Sequence, residues 1–529
     1  MAATSRAELA SGVEDPDVPR GAALAGVVAT AGGIAVAEVV AAVTVLVPSP
    51  LDALGQVVVD RLPGAVVTGA IEVLGAANRP VLTVLSVAVA LALGGVLGRL
   101  GARSFPGAVV LIVAVGIVVL LASLNRPEAA FPLVLLALAA AGTVAGTLLF
   151  RLLGHLGAHR GLASPGAPTP TDPPVDRRAF LRLGVGGSVA SLAAGGLARG
   201  GLGTAGVGPT PTGPAPAADR ALPAVAAGQD LATSLEGVSP ALTPIDSFFR
   251  IDTAVLLPRA DVASWRLRVT GAVERELELS YDELTARELV EVDATIACVS
   301  NEVGGSLIGT ARWVGVPLAE LLAEAGPTAG AEQVLSRSVD GFTAGFPLEV
   351  AQRTPDALVA VGMNGRILPL QHGYPARLVV PGLYGYVSAT KWLSDIELTA
   401  WEGVDGYWVP RGWSKEGPVK TGARIDLPGT GSEVPAGDVV VAGVAWAPGR
   451  GIDRVEVLVD DDEILSAELI PPLSTSTWVQ WRVTVPLTAG EHRLAVRAMD
   501  GEGVLQSEGP APPAPDGAEG WHTIGVRVV

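Results

Sequence analysis

Cys298 is the only cysteine among 529 residues, in the segment A-T-I-A-C-V-S-N-E-V-G-G-S-L-I-G. A lone thiol forms no intrachain disulfide, and no second cysteine is present to share a zinc or iron–sulfur site. A buried cysteine without partners ordinarily serves as a small hydrophobe. Here the sequence after it is polar and glycine-rich, with Asn301, Gly304, Gly305 and Gly309. Glycines let backbone approach a bulky ligand closely, and a thiolate is a soft metal ligand. The other chemistry-bearing residues concentrate downstream, in M-N-G-R-I-L-P-L-Q-H-G-Y-P-A-R-L-V-V-P-G-L-Y-G-Y-V-S-A-T-K-W-L (363–393), and upstream in I-D-S-F-F-R-I-D-T-A (245–254).

The elements that must carry these residues fall into two halves of opposite character. Residues 1–203 hold 13 Lys+Arg against 11 Asp+Glu and contain no Lys, Trp or Tyr. Residues 204–529 hold 23 basic and 42 acidic residues and all 10 Trp, so the net charge of −17 arises there. An acidic half of this kind excludes nucleic-acid binding, which needs a basic footprint. Apolar runs at about 22–47, 80–100, 106–123 and 131–153 each approach the roughly 20 residues needed to cross a bilayer. Residues 51–78, broken by Asp60, Arg61 and Glu72, read as an interfacial or re-entrant stretch. Glu38 lies inside the first apolar run, where a carboxylate is costly and faces a partner or cavity; proton or quinone chemistry and a structural contact both fit it. Only His155 and His159 lie in this half, which argues against a bis-histidine haem between its helices.

A fifth apolar run, 184–203, follows D-R-R-A-F-L-R (176–182), which resembles a twin-arginine export signal. Four crossings from a cytoplasmic N-terminus place Arg177 and Arg178 in the cytoplasm, and the fifth segment then carries the remainder outside. No A-x-A site closes the segment convincingly, so it is expected to stay as an anchor. The expected organisation is a transmembrane helical domain over 1–160, the signal-like segment and fifth span over 161–203, and a Pro/Gly-rich linker over 204–240. A catalytic domain over 241–404 and a β-sandwich over 405–529 follow. Within the catalytic domain, W-R-L-R-V-T-G (265–271) predicts a strand and Y-D-E-L-T-A-R (281–287) a short helix. A-R-W-V-G-V-P-L-A-E-L-L-A-E-A-G (311–326) reads as a turn leading into an amphipathic helix, and R-S-V-D-G-F-T-A-G-F-P-L (337–348) as a hairpin.

Three ordered signals, F-F-R, the Cys loop running into W-x-G-V-P-L, and H-G-Y-P-A-R-L-V-V-P-G followed by K-W-L, resemble the sulfite oxidase family of molybdopterin-dependent oxidoreductases over about 241–404. The resemblance implies an α+β domain holding Mo-molybdopterin, with Cys298 as metal ligand and catalytic residue. It implies that His372 and Arg377 hold the pterin and its phosphate, and that Ser388, Thr390 and Lys391 close over the phosphate end. Phe249 and Arg250 would line the pocket, Asn301 would orient the Cys loop, and Ser338 with Asp340 would contact the cofactor edge. Sulfite-oxidising members resemble C-A-G-N-R-R after the ligand, whereas this chain has Glu302 and Val303. A carboxylate there should repel sulfite and favour a small neutral oxo-compound or sulfoxide.

Five short runs (439–447, 454–460, 478–485, 492–500 and 524–529) alternate with period two between turn signals. They resemble the immunoglobulin-like domain that follows the molybdenum domain in sulfite oxidases and dimerises there. The fold class expected is therefore multidomain: a helical transmembrane bundle, an α+β molybdopterin domain and an immunoglobulin-like β-sandwich. The expected protein is a multi-pass plasma-membrane oxidoreductase with its catalytic domain on the extracytoplasmic side. It would transfer an oxygen atom for a small-molecule substrate and exchange electrons with a separate quinone, cytochrome or flavin/haem membrane protein, as a homodimer by resemblance. Sulfite oxidase proper, or a non-catalytic membrane-tethered binding or sensory module, is the alternative.

Overall fold

The computed structural model describes residues 18–19, 21–43, 47–61, 78–124, 130–156, 212–254 and 257–529. The twin-arginine-like segment, the fifth apolar run and residues 204–211 of the expected linker lie outside them. The described residues fall into two compact units, one of helices before residue 157 and one from residue 212 onward.

The first unit holds α1 (Ala22–Val43), α2 (Pro50–Arg61), α3 (Asn78–Arg103), α4 (Phe105–Leu124) and α5 (Phe131–His155). Four of the five contain spans long and apolar enough to cross a membrane: Ala22–Ala41, Val84–Arg103, Phe105–Leu124 and Phe131–His155. Val84, Leu85, Val110 and Leu136 are more than half exposed, an apolar surface consistent with membrane spans. Glu38 is buried and accepts hydrogen bonds from Ser49 Oγ (2.8 Å) and Leu51 N (3.3 Å). It therefore satisfies open donors at the start of α2, a structural contact.

Helices α1 and α3 meet through glycine. A Cβ at Gly98 would collide with the Ala22 carbonyl, and one at Gly26 with the Gly94 carbonyl, while a Cβ at Gly116 would meet nothing within 4 Å. Small residues of this kind let membrane helices approach closely. Gly98→Val is expected to destabilise the solubilised helices by about 3 kcal/mol, whereas Gly116→Val should stay within about 0.5 kcal/mol. Denaturant titration of both variants in detergent checks this contrast.

The second unit is built from sheets. Its first ten strands are β1 (Arg266–Gly271), β2 (Leu277–Ser280), β3 (Val290–Ala297), β4 (Ile308–Pro317), β5 (Gln333–Ser338), β6 (Thr343–Pro347), β7 (Leu358–Met363), β8 (Arg366–Ile367), β9 (Arg377–Val379) and β10 (Leu393–Thr399). They form one sheet in the order β2-β1-β10-β5-β6 and another in the order β3-β4-β7-β8, with β9 also on β7. The predicted strand at 265–271 is β1, and the predicted hairpin is β5–β6. The short helix runs Tyr281–Thr285, started by a Ser280/Glu283 capping box. The expected turn before the amphipathic helix is instead the end of β4, and Leu318–Ala325 follows it directly. β4 is buried at nine of its ten positions, so its side chains show no inside–outside alternation to read.

Strands β11 (Gly422–Leu427), β12 (Glu433–Val434), β13 (Gly437–Trp446), β14 (Ile452–Val459), β15 (Glu463–Ser466), β16 (Glu468–Leu469), β17 (Val479–Leu487), β18 (Gly490–Asp500) and β19 (His522–Val528) follow. They make two sheets, β11-β13-β17-β16 and β12-β19-β18-β14-β15. Val441, Trp481 and Val485 from the first pack with Val457, Val496 and Val526 from the second in one buried cluster. The part of the expected linker that is described does not hang free. Asp219 and Arg220 donate backbone N–H groups to Leu289, Leu231 is buried beside Ala442, and Gln480 bonds both Leu231 N and the Ser239 carbonyl.

A candidate cofactor cleft around Cys298

Strand β3 ends at Ala297, so Cys298 stands at the mouth of the loop that returns to β4. That loop is closed by its own hydrogen bonds. Cys298 N donates to the Leu307 carbonyl (2.9 Å), Asn301 N to the Cys298 carbonyl (3.1 Å), and Leu307 N to Asn301 Oδ1 (2.7 Å). Gly304, at φ +78°, turns the loop where any Cβ would strike the His522 ring. Arg424 then holds it from outside: its guanidinium donates to the Gly305 carbonyl (2.6 Å), Asp426 and Ser239. Residues of the C-terminal sheets thus fix the loop that carries the thiol.

Cys298, Phe249, Ser338, Asp340, His372, Arg377 and Lys391 line one cleft. The thiol is buried, and desolvation pushes its pKa up against two lowering hydrogen bonds from Ser300. His372 follows Pro369 on a 3-10 turn, with Nε2 3.2 Å from the Ile245 carbonyl. Burial, aided by Arg377, lowers its pKa to about 4. In the cofactor-free protein His372 should therefore show no titration between pH 5 and 8 by histidine-selective NMR. Its stability contribution is complete above pH 6.5 and declines as pH falls toward 4, because the unfolded chain takes up the proton first.

Arg377 opens β9, is 5 % exposed, and points its guanidinium at the Leu378, His372 and Ala389 carbonyls, 5.0 Å over the Trp313 ring. Among the described residues it has no carboxylate partner, and burial lowers its pKa to about 9. Lys391 Nζ lies 2.5 Å from Asp252 Oδ2 and 4.6 Å over the Trp392 ring.

Four expected site residues lie off the cleft wall. Arg250 acts on His372 only through its charge. Asn301 braces the Cys loop. Ser388 donates to the Tyr384 carbonyl (3.0 Å), and Thr390 bonds Ser336 Oγ (2.7 Å). Glu302 and Val303 line a second cavity, with Lys420 and Glu502. The expected repulsion of an anion by Glu302 therefore does not come from a group on the cleft wall. The sequence reading also missed Asp252, Tyr386, Trp408 and Trp413, which do line the cleft. Asp252 could have been found as an acid three residues beyond Phe249; Trp408 and Trp413 lie beyond the boundary set at 404.

The donor set fits a molybdopterin. A single thiol supplies one metal bond, and a buried guanidinium without a carboxylate, beside a lysine, supplies charge for a phosphate.

A model of the oxidoreductase molybdopterin binding domain matches residues 254–408. Over 325 residues the chain is 30% identical to the sulfite oxidase of Gallus gallus, covering 51% of this chain and 69% of that one. Over 340 residues it is 28% identical to the mitochondrial sulfite oxidase of Rattus norvegicus, covering 54% and 62%. Over 159 residues it is 33% identical to the uncharacterized oxidoreductase YuiH of Bacillus subtilis, covering 30% and 76%. The matched part thus spans less than two thirds of the rat enzyme and slightly more of the chicken enzyme.

Proposed function

The chain belongs to the sulfite oxidase family of molybdopterin oxidoreductases, and from that premise we propose a membrane-anchored, extracytoplasmic enzyme that transfers an oxygen atom to or from a small neutral oxo-compound, with sulfoxides foremost. It is a molybdenum oxidoreductase, and its cofactor is Mo-molybdopterin. The convergence of Cys298, His372, Arg377 and Lys391 on one cleft carries the reading.

Cys298 would hold the metal, and the cations of Arg377 and Lys391 would hold the phosphate, with neutral His372 offering a hydrogen bond. The bound cofactor supplies two-electron oxygen-atom transfer. Asp252 pairs with Lys391, and the cofactor phosphate would take up the charge of Arg377, which would leave the wall little positive charge for a dianion such as sulfite. Tyr386, Trp408 and Trp413 form an aromatic wall, with Trp408 and Trp413 rings 6.3 Å apart at 78°. Such a wall excludes water and favours an uncharged substrate. Tyr386 is oriented by donating to the Ser414 carbonyl (2.7 Å).

The four apolar spans support membrane anchoring, and the arginine pair before residue 184 supports export of the catalytic unit. The shared core of the two C-terminal sheets supports an immunoglobulin-like sandwich, through which a homodimer would form. Electrons would pass to or from a separate carrier. The test is molybdenum and pterin analysis of the purified protein, followed by assays of sulfoxides with reduced viologen and of sulfite with ferricyanide. Sulfoxide turnover is expected. Turnover of sulfite alone would establish a sulfite oxidase instead, and protein without stoichiometric molybdenum would favour a non-catalytic module.

A further inference from the structure

The loop that carries Cys298 is closed on itself. Cys298 N bonds the Leu307 carbonyl, Leu307 N bonds Asn301 Oδ1, and Gly305 N donates to the Glu302 carbonyl (2.8 Å). These bonds keep the loop's shape, but none stops it from swinging as one piece about the ends of β3 and β4. Among the described residues, its one hydrogen bond to another element is the one that the Gly305 carbonyl accepts from Arg424 (2.6 Å). Arg424 lies on β11 beside a break in the β11–β13 register, between Ile425 and Leu427. Irregularities of this kind re-aim side chains. Its Nε donates to Asp426 Oδ1 (2.7 Å) and its Nη2 to Ser239 Oγ (2.7 Å), while Asp426 Oδ2 accepts from Ser239 N (2.9 Å). The Arg424 and Asp426 side chains are 11% and 8% exposed. Three fixed acceptors therefore set the direction of the guanidinium, a task for a planar fork and not for an ammonium. The next residue acts on the loop as well: Ile425 N donates to His522 Nδ1 (3.0 Å), whose ring lies against Gly304.

The facing wall of the cleft is pinned elsewhere. Thr243 N donates to the Thr310 carbonyl of β4 (2.7 Å), Thr310 N donates to Thr243 Oγ (3.1 Å), and Asn364 Nδ2 donates to the Thr243 carbonyl (2.9 Å). Two residues on, the Ile245 carbonyl meets His372. A swing of the Cys loop would therefore displace the thiol relative to His372 without moving His372 itself. We propose that Arg424 is a positioning residue for the metal ligand, fixing the place of the Cys298 thiol in the cleft from the C-terminal sheets. The inference rests on the reading of Cys298 as the ligand. It gives those sheets a part in the chemistry that no residue of theirs touches directly.

Because Cys298 is the chain's only thiol, its reactivity reports on this loop alone. The test alkylates the cofactor-free, full-length chain in detergent with iodoacetamide at fixed pH. Arg424→Lys keeps a cation beside Asp426 but loses the fork, and should speed alkylation about tenfold, the size expected when a hydrogen bond from a charged donor is lost. Arg424→Met/Asp426→Asn, which leaves no buried carboxylate unpaired, should speed it at least as much. The rise should be insensitive to low urea, because a local opening exposes little surface. Ser239→Ala, which removes only the third acceptor, should change the rate less than about twofold. In the full-length holoenzyme, Arg424→Lys should shift the thiolate-to-metal absorption band and lower kcat about tenfold at unchanged KM. Unchanged alkylation in both Arg424 variants would overturn the proposal. So would a rise that follows urea as global unfolding does, since Arg424 would then hold only the sheet, or an unshifted absorption band in a fully loaded variant. Faster alkylation in a protein that takes up no molybdenum would confirm that Arg424 holds the thiol and would overturn the oxidoreductase reading alone.

Discussion

Cys298→Ser is expected to abolish turnover while leaving the fold in place. Removing residues that merely orient a metal ligand costs roughly 10–100-fold in affinity or activity, so removal of the ligand itself should cost more than about 100-fold. A serine hydroxyl is a far poorer soft-metal ligand than a thiolate. The thiol is protonated by preference in its desolvated position, because burial pushes its pKa up. A bound metal reverses this by holding the deprotonated form. The serine cannot be recruited in the same way. The stability effect should be small, within about 1 kcal/mol. The site is a small buried position whose backbone is fixed by Leu307, Asn301 and Arg424, none of which uses the sulfur. Activity, molybdenum content and thermal midpoint measured together check the prediction. Wild-type activity in the variant would remove Cys298 from the metal, and a collapse of the midpoint would make it a structural residue.

The four long apolar helices were legible because an uninterrupted apolar run of spanning length marks itself in the sequence. The cleft was legible in part, where neighbours along the chain are also neighbours in space: Cys298 at the end of β3, and the turn that presents His372 close to Arg377. Three kinds of information were hidden. Trp408 and Trp413 reach the cleft from beyond the boundary placed at 404, and nothing in their local sequence marks a cofactor wall. β4 was mistaken for a turn because it is buried on both faces and lacks alternation. Glu302 was placed near the cleft from its motif position after Cys298, where sulfite-oxidising members carry arginine. The loop reverses at Gly304, and the Glu302 side chain serves the opposite surface. Sequence separation fixes how near two residues are, but the side on which each faces depends on a backbone angle and on His522, more than two hundred residues away.

Arg377→Met should separate cofactor binding from folding more cleanly than any other change in the cleft. A buried guanidinium without a carboxylate costs several kcal/mol of stability, and the same burial lowers its pKa to about 9. The sign follows from proton uptake: above about pH 9 the unfolded chain holds a proton that the folded one has released, so stability rises with pH there. At neutral pH the whole cost is present. Methionine removes the charge at similar length but leaves the Leu378, His372 and Ala389 carbonyls without their donor, at about 1 kcal/mol each. The two effects nearly cancel, so the cofactor-free variant should melt within about 3 °C of wild type. A bound phosphate changes the balance for wild type alone, because it supplies the counter-charge that the fold withholds. Wild type should therefore gain stability on loading in proportion to ligand affinity. Arg377→Met should lose that gain, together with more than about tenfold of its molybdenum and pterin content, a loss of the size expected when a charge-assisted contact disappears. Arg377→Lys should fall between them, since it keeps the charge but not the planar fork. A variant that retains its cofactor, or whose cofactor-free form melts far below wild type, would show that Arg377 holds the fold and not the phosphate.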